Sequence, residues 1–204
     1  MATRLTPRRS PPRTRFGGVE GNEILTSATA GVLIALLVAE GLTIVDIRGF
    51  LTEHMFIGMV LIPPVLLKLA STGYRFIRYY TGARAYREKG PPTLPLRLLA
   101  PVLVASTIAV LATGVVLLAD GHKSDTVLWI HQASTVVLAV VIAVHVLANI
   151  PRVNRSLRTD WSAARREAVP GAGLRGMLLA AAVGGGAALA LAVLPVIDAW
   201  HGGH

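Results

Sequence analysis

Ionisable side chains stand inside long apolar runs of this sequence, among them Glu40, His54, Lys68, His131 and His145. A charge or an imidazole is costly to hold in hydrocarbon, so each is a candidate for chemistry. Two intervals are equal, with 14 residues from His54 to Lys68 and 14 from His131 to His145. Fourteen residues make about 3.9 helical turns and about 21 Å of axis, which puts both members of a pair on nearly one face. On helices that run the same way, His54 lies level with His131, and Lys68 lies level with His145. Two imidazoles offered by facing helices of a bundle are the axial ligand set of a b-type haem, one on each side of the iron. Gly58, one turn after His54 on the same face, leaves room where a side chain would meet a porphyrin edge, and Gly114 can do likewise. The alternative for His54 and His131 is a pair of interfacial histidines.

The second level joins Lys68 to His145, and three roles compete for the lysine. It could ligate the iron of a second haem opposite His145, hold a haem propionate or a quinone oxygen as an ammonium, or extend to the lipid headgroups. Glu40 could relay a proton for quinol oxidation or simply reach water. His122, His201 and His204 lie outside the apolar runs and read as loop and tail residues.

The elements that must position these groups follow from apolar length. The chain has 204 residues, 53% of them hydrophobic and 15% charged, and a mean hydropathy of +0.59. Segments 25–45, 53–72, 98–119, 127–150 and 174–196 each supply the roughly 20 apolar residues that span a bilayer. The expected fold class is therefore all-α, a polytopic membrane helical bundle. A basic, disordered cytoplasmic tail (1–22) precedes a four-helix core (23–150). A basic loop (151–172) and a fifth transmembrane helix with a short tail (173–204) follow it.

Orientation comes from charge. Arg4, Arg8, Arg9, Arg13 and Arg15 precede the first span, Arg75 to Arg97 lie between the second and third, and Arg152 to Arg175 between the fourth and fifth. The opposite loops hold only Arg48 and Lys123. Basic loops stay in the cytoplasm, so the amino terminus is expected inside the plasma membrane and the carboxyl terminus outside, with spans two and four parallel. The net charge of +9 is then topological, with attraction to anionic lipid, and does not imply nucleic acid. With no cysteine, thiolate metal sites and cysteine-held clusters are excluded. Trp129, Trp200, Tyr74, Tyr79, Tyr80 and Trp161 fall near span ends and read as interfacial anchors. Pro63-Pro64 removes two backbone donors from span two and predicts a bend there. Lys89-Gly90-Pro91-Pro92 and Pro95 predict an extended approach to span three, and Gly184-Gly185-Gly186 a close approach of span five to a neighbour.

Two parallel helices, each with candidate ligands 14 residues apart, resemble the di-haem core of the membrane cytochromes b and the bacterial cytochrome b561-like proteins. The run Leu61-Ile62-Pro63-Pro64-Val65-Leu66-Leu67-Lys68-Leu69-Ala70-Ser71-Thr72-Gly73-Tyr74-Arg75, then Tyr79-Tyr80 and Lys89-Gly90-Pro91-Pro92, looks like small actinobacterial members of that kind. So does Leu128-Trp129-Ile130-His131-Gln132-Ala133-Ser134 followed by His145. The resemblance covers roughly 25–150 and leaves out span five. It implies haem b on His54 and His131, and a second haem site that includes His145; Lys68 departs from it, since the core family has histidine there. The expected function is a b-type cytochrome subunit that moves electrons between a quinone pool and a redox partner subunit. No glycine-rich nucleotide loop is present, so the chain is not expected to oxidise a soluble nicotinamide by itself, and a partner subunit is implied. The alternatives are a transporter or channel with Glu40, Lys68 and His145 along a polar path, and a non-catalytic membrane assembly factor.

Overall fold

The computed structural model describes residues 17–90, 94–121, 124–160 and 169–200. The arginines from Arg4 to Arg15, together with His122, Lys123, Trp161, Arg165, Arg166, His201 and His204, lie outside the described residues. Seven helices are described: α1 (Gly18–Val45), α2 (Leu51–Tyr80), α3 (Arg84–Glu88), α4 (Leu94–Asp120), α5 (Asp125–Asp160), α6 (Ala172–Ala192) and α7 (Leu194–Ala199). No strand occurs among the described residues. Five of the helices, α1, α2, α4, α5 and α6, are long and apolar enough to cross a membrane. Their outward faces stay apolar, with Leu147 67% exposed and Val136 65% exposed on α5. Such surface suits a lipid solvent and no aqueous one. The protein is an all-α polytopic membrane bundle.

The helices overrun the apolar segments that define them. α1 begins at Gly18, inside the stretch expected as tail, and α5 runs through 151–160, expected as loop. α2 continues two turns past Thr72 to Tyr80. Arginine, alanine and leucine are good helix formers, so a helix does not stop where hydropathy does. Span five does stop early. Pro195 lacks an N–H and cannot continue α6, so the chain breaks at Val193 and restarts as α7 with the proline in its first turn. α3 forms between Ala83 and Lys89 and α4 starts at Leu94, so Pro95 lies within a helix, whereas the extended approach expected at Pro91-Pro92 lies outside the described residues.

Residues 46–50 join α1 to α2 tightly, with the Gly49 N–H donating to Asp46 Oδ1 at 3.2 Å and the Phe50 N–H to Asp46 O at 3.0 Å. Gly121, at φ +62°, closes α4 in the left-handed conformation that glycine adopts most easily, and Ser124 caps α5 through the Val127 N–H. The result is two antiparallel hairpins, α1–α2 and α4–α5, each closely packed within itself. Between the hairpins contact is sparser: α1 touches α5 and α2 touches α4. That arrangement sets α2 and α5 across the diagonal of a four-helix square; α4 returns antiparallel to α2 and α5 reverses again, so α2 and α5 run the same way.

α6 packs on α2 and brings the buried core with it. Met59, Val60, Leu118, Ala190 and Ile197 form that core, flanked by Met55, Phe56 and Trp200. Pro63 and Pro64 lie inside an unbroken α2. Because a helical N–H bonds the carbonyl four residues earlier, Pro64 leaves Val60 O without its helical donor. Gly186 of α6 lies directly over that oxygen, and a Cβ on Gly186 would stand 2.3 Å from it. Only a glycine Cα–H fits there, so a weak Cα–H···O contact from α6 meets the freed carbonyl. Trp200 is no simple interfacial anchor: its indole N–H donates to Leu118 O at 3.2 Å and ties α7 to the end of α4.

Candidate functional site

His54 enters the bundle from α2 and His131 from α5, and their rings meet across the diagonal with centroids 6.2 Å apart and planes at 90°. Each imidazole is held by the other arm of its own hairpin. On the first hairpin, His54 Nδ1 lies 3.0 Å from Thr43 Oγ1 and 3.1 Å from Glu40 Oε1. The Thr43 hydroxyl proton is already donated to Glu40 O at 2.6 Å. Its oxygen can therefore only accept from His54, which puts the proton on Nδ1.

The second hairpin repeats the device. His131 Nδ1 lies 3.0 Å from Thr113 Oγ1 and 3.2 Å from Val110 O. Thr113 donates to Ala109 O at 2.6 Å, and a carbonyl can only accept, so His131 also carries its proton on Nδ1. Gly114 makes the fit, since a Cβ there would stand 3.3 Å from His131 Cε1. Both rings thus keep the Nε2 lone pair for a ligand, the arrangement in which a metal-binding histidine is oriented by a hydrogen bond on its other nitrogen.

The 6.2 Å separation of the ring centroids is the spacing of two imidazoles that share one metal. A metal to imidazole bond of about 2.0 Å, with the nitrogen about 1.1 Å from the ring centroid, puts two axial imidazoles about 6.2 Å apart. Among the described residues no group of three or more His, Cys, Asp or Glu could hold a bare metal ion. Two imidazoles suffice when the metal brings its own equatorial nitrogens, as haem iron does. Gly58 faces the same place: a Cβ there would meet only Glu40 Oε1, at 3.5 Å, an ordinary contact.

The other level is built differently. Lys68 Nζ donates to Thr26 O on α1 at 2.8 Å. Thr26 donates to Ser71 Oγ at 3.0 Å, Ser71 to Lys68 O at 3.0 Å, and Asn22 Nδ2 to Ser71 O at 3.1 Å. The lysine is thereby drawn along its own hairpin toward α1. His145 sits half-buried on α5, with Asn149 Nδ2 donating to its backbone carbonyl at 2.7 Å. Thr26 and Glu40 are themselves 14 residues apart, so α1 answers both levels of α2 in register. Between the levels, α2 and α4 border an open groove of about 420 Å³ with an apolar surface, lined by Ile62, Leu66, Leu69, Thr107, Ile108 and Leu111 among others.

Sequence reasoning singled out both histidines and both glycines but passed over Thr43 and Thr113. Their signal is a hydroxyl inside each apolar run, level with a histidine across a short hairpin. The fold and site define a multi-pass helical membrane protein with a paired-imidazole centre between two hairpins. Comparison with protein families, curated proteins and solved structures finds no match to this chain.

Proposed function

We propose that this chain is a b-type cytochrome subunit of the plasma membrane, carrying electrons between a quinone and a redox partner subunit through one haem b held by His54 and His131. The observation that carries this reading is the pair of imidazoles 6.2 Å apart with both Nδ1 atoms engaged. Haem b supplies one-electron chemistry when bound. The residues of this chain that would hold it are His54 and His131, whose Nδ1 atoms are engaged by Thr43 and Glu40 on one hairpin and by Thr113 and Val110 O on the other, which leaves each Nε2 as the ligating atom. Lys68 is engaged with Thr26, so the proposal takes one haem per chain and gives the lysine a structural role. The apolar groove between α2 and α4 suits an isoprenoid chain, which supports a quinone as electron partner. With the basic ends in the cytoplasm, the haem lies toward the outer surface. A transport path through Glu40, Lys68 and His145 gains no support, because Glu40 is committed to His54 and Lys68 to Thr26.

Full-length protein purified in detergent from haem-replete cells is expected to be red, with a Soret band and with α bands that appear on dithionite reduction. A colourless preparation refutes the reading. His54→Ala and His131→Ala should each abolish the spectrum; haem retained in both variants means other ligands.

A further inference from the structure

The two imidazoles are held alike by threonine, but their remaining partners differ in charge. His131 has the Val110 carbonyl at 3.2 Å, whereas His54 has the Glu40 carboxyl at 3.1 Å. Glu40 is 14% exposed at its side chain, and its second oxygen, Oε2, is buried with no hydrogen-bond partner. A buried carboxylate oxygen left without a donor is expensive, so Glu40 is ionised only where a nearby positive charge offsets that cost. Among the described residues no lysine or arginine forms an ion pair with Glu40; His54 is its only ion-pair partner. The ferric state of an iron porphyrin carries one net positive charge, and the ferrous state carries none.

Resting on the haem reading above, we infer that Glu40 is a positioning residue that sets the redox potential of this centre. Through Nδ1–H···Oε1 it makes His54 the more electron-rich of the two axial ligands. It stabilises the oxidised state over the reduced one and lowers the midpoint potential. The second shell of a metal site tunes its metal in this way, by hydrogen bonding to the ligand and by local charge. The asymmetry also makes the two hairpins unequal partners: the first supplies a charged support, the second a neutral one.

The test is a potentiometric titration of the purified full-length protein, read on the haem α band. Glu40→Gln keeps an acceptor oxygen for Nδ1 and removes the charge. It should bind haem and shift the ratio of reduced to oxidised protein at fixed potential about tenfold toward reduced, which is about 59 mV upward for one electron. Thr113→Val, which removes a neutral contact on His131, should shift the midpoint far less. Haem-loaded Glu40→Gln at the wild-type midpoint overturns the inference and leaves the haem reading intact; wild-type protein without haem overturns that reading itself. Should Glu40→Gln fail to load haem, Glu40→Asp keeps the charge but withdraws it from Nδ1, and a loaded Asp variant at the wild-type midpoint is equally refuting.

Discussion

Replacing Gly186 with alanine tests the packing that holds the histidine-bearing helix in place. The added Cβ would stand 2.3 Å from Val60 O, 3.1 Å from its carbonyl carbon and 3.2 Å from its Cα, where ordinary contact starts at 3.4 Å. These are backbone atoms and cannot swing aside, so α6 must withdraw from α2 by about 1 Å. A gap of about 0.5–1 Å forfeits a quarter to a half of each dispersion contact along the seam. Overpacking of this kind costs about 1–3 kcal/mol, and losing the Cα–H···O contact to Val60 O adds about 0.5–1 kcal/mol. The expected loss is about 1.5–4 kcal/mol, read as a shifted midpoint when protein in mixed micelles is unfolded with dodecyl sulfate and followed by tryptophan fluorescence. Gly184→Ala and Gly185→Ala are the controls, since a Cβ at either glycine meets nothing within 4 Å. Loss of less than about 0.5 kcal/mol in Gly186→Ala, or equal losses in all three variants, would refute the argument, since distant surface changes usually stay within that range.

Three further outcomes are expected. Thr113→Val should weaken haem retention about tenfold without abolishing it, as removing an outer-shell partner does, measured by haem transfer to apomyoglobin; unchanged retention would count against the tautomer lock. Lys68→Met should leave haem content at one per chain by pyridine haemochrome assay, and a fall from two to one would restore the second site on His145. The perpendicular imidazole planes predict a low-spin ferric resonance dominated by one large-g feature, and a well-resolved rhombic triplet would mean the rings turn parallel when the cofactor binds.

The membrane architecture was legible because its cause is local: a span is a run of apolar residues, and each of the five can be read without knowing its neighbours. The meeting of His54 with His131 was legible for a related reason, because equal spacing on two parallel helices converts sequence into height. What stayed hidden depends on neighbours. Thr43 and Thr113 matter only through the arms of the hairpins they face, and each could as well have bonded its own helix alone. Glu40 could be placed at the right depth, but its choice of His54 over water depends on the rotation of α1 about its axis. Gly186 is one of three consecutive glycines, and only the packed structure says which one lies over Val60. Lys68 is the plainest case: height alone pairs it with His145, whereas the hairpin hands it a backbone carbonyl at the same height on α1.

The contact between Val60 and Gly186 joins residues 126 positions apart, from 60 to 186. At a synthesis rate of about 5–20 residues per second, about 6–25 s separate their emergence. Through that interval the Val60 carbonyl lacks both the helical donor that Pro64 removes and the Cα–H···O contact from Gly186, the latter worth about 0.5–1 kcal/mol. The packing of α2 is thus incomplete until α6 arrives. Assembly therefore has a built-in order, in which the helix that presents His54 completes its packing only after nearly the whole chain has been made.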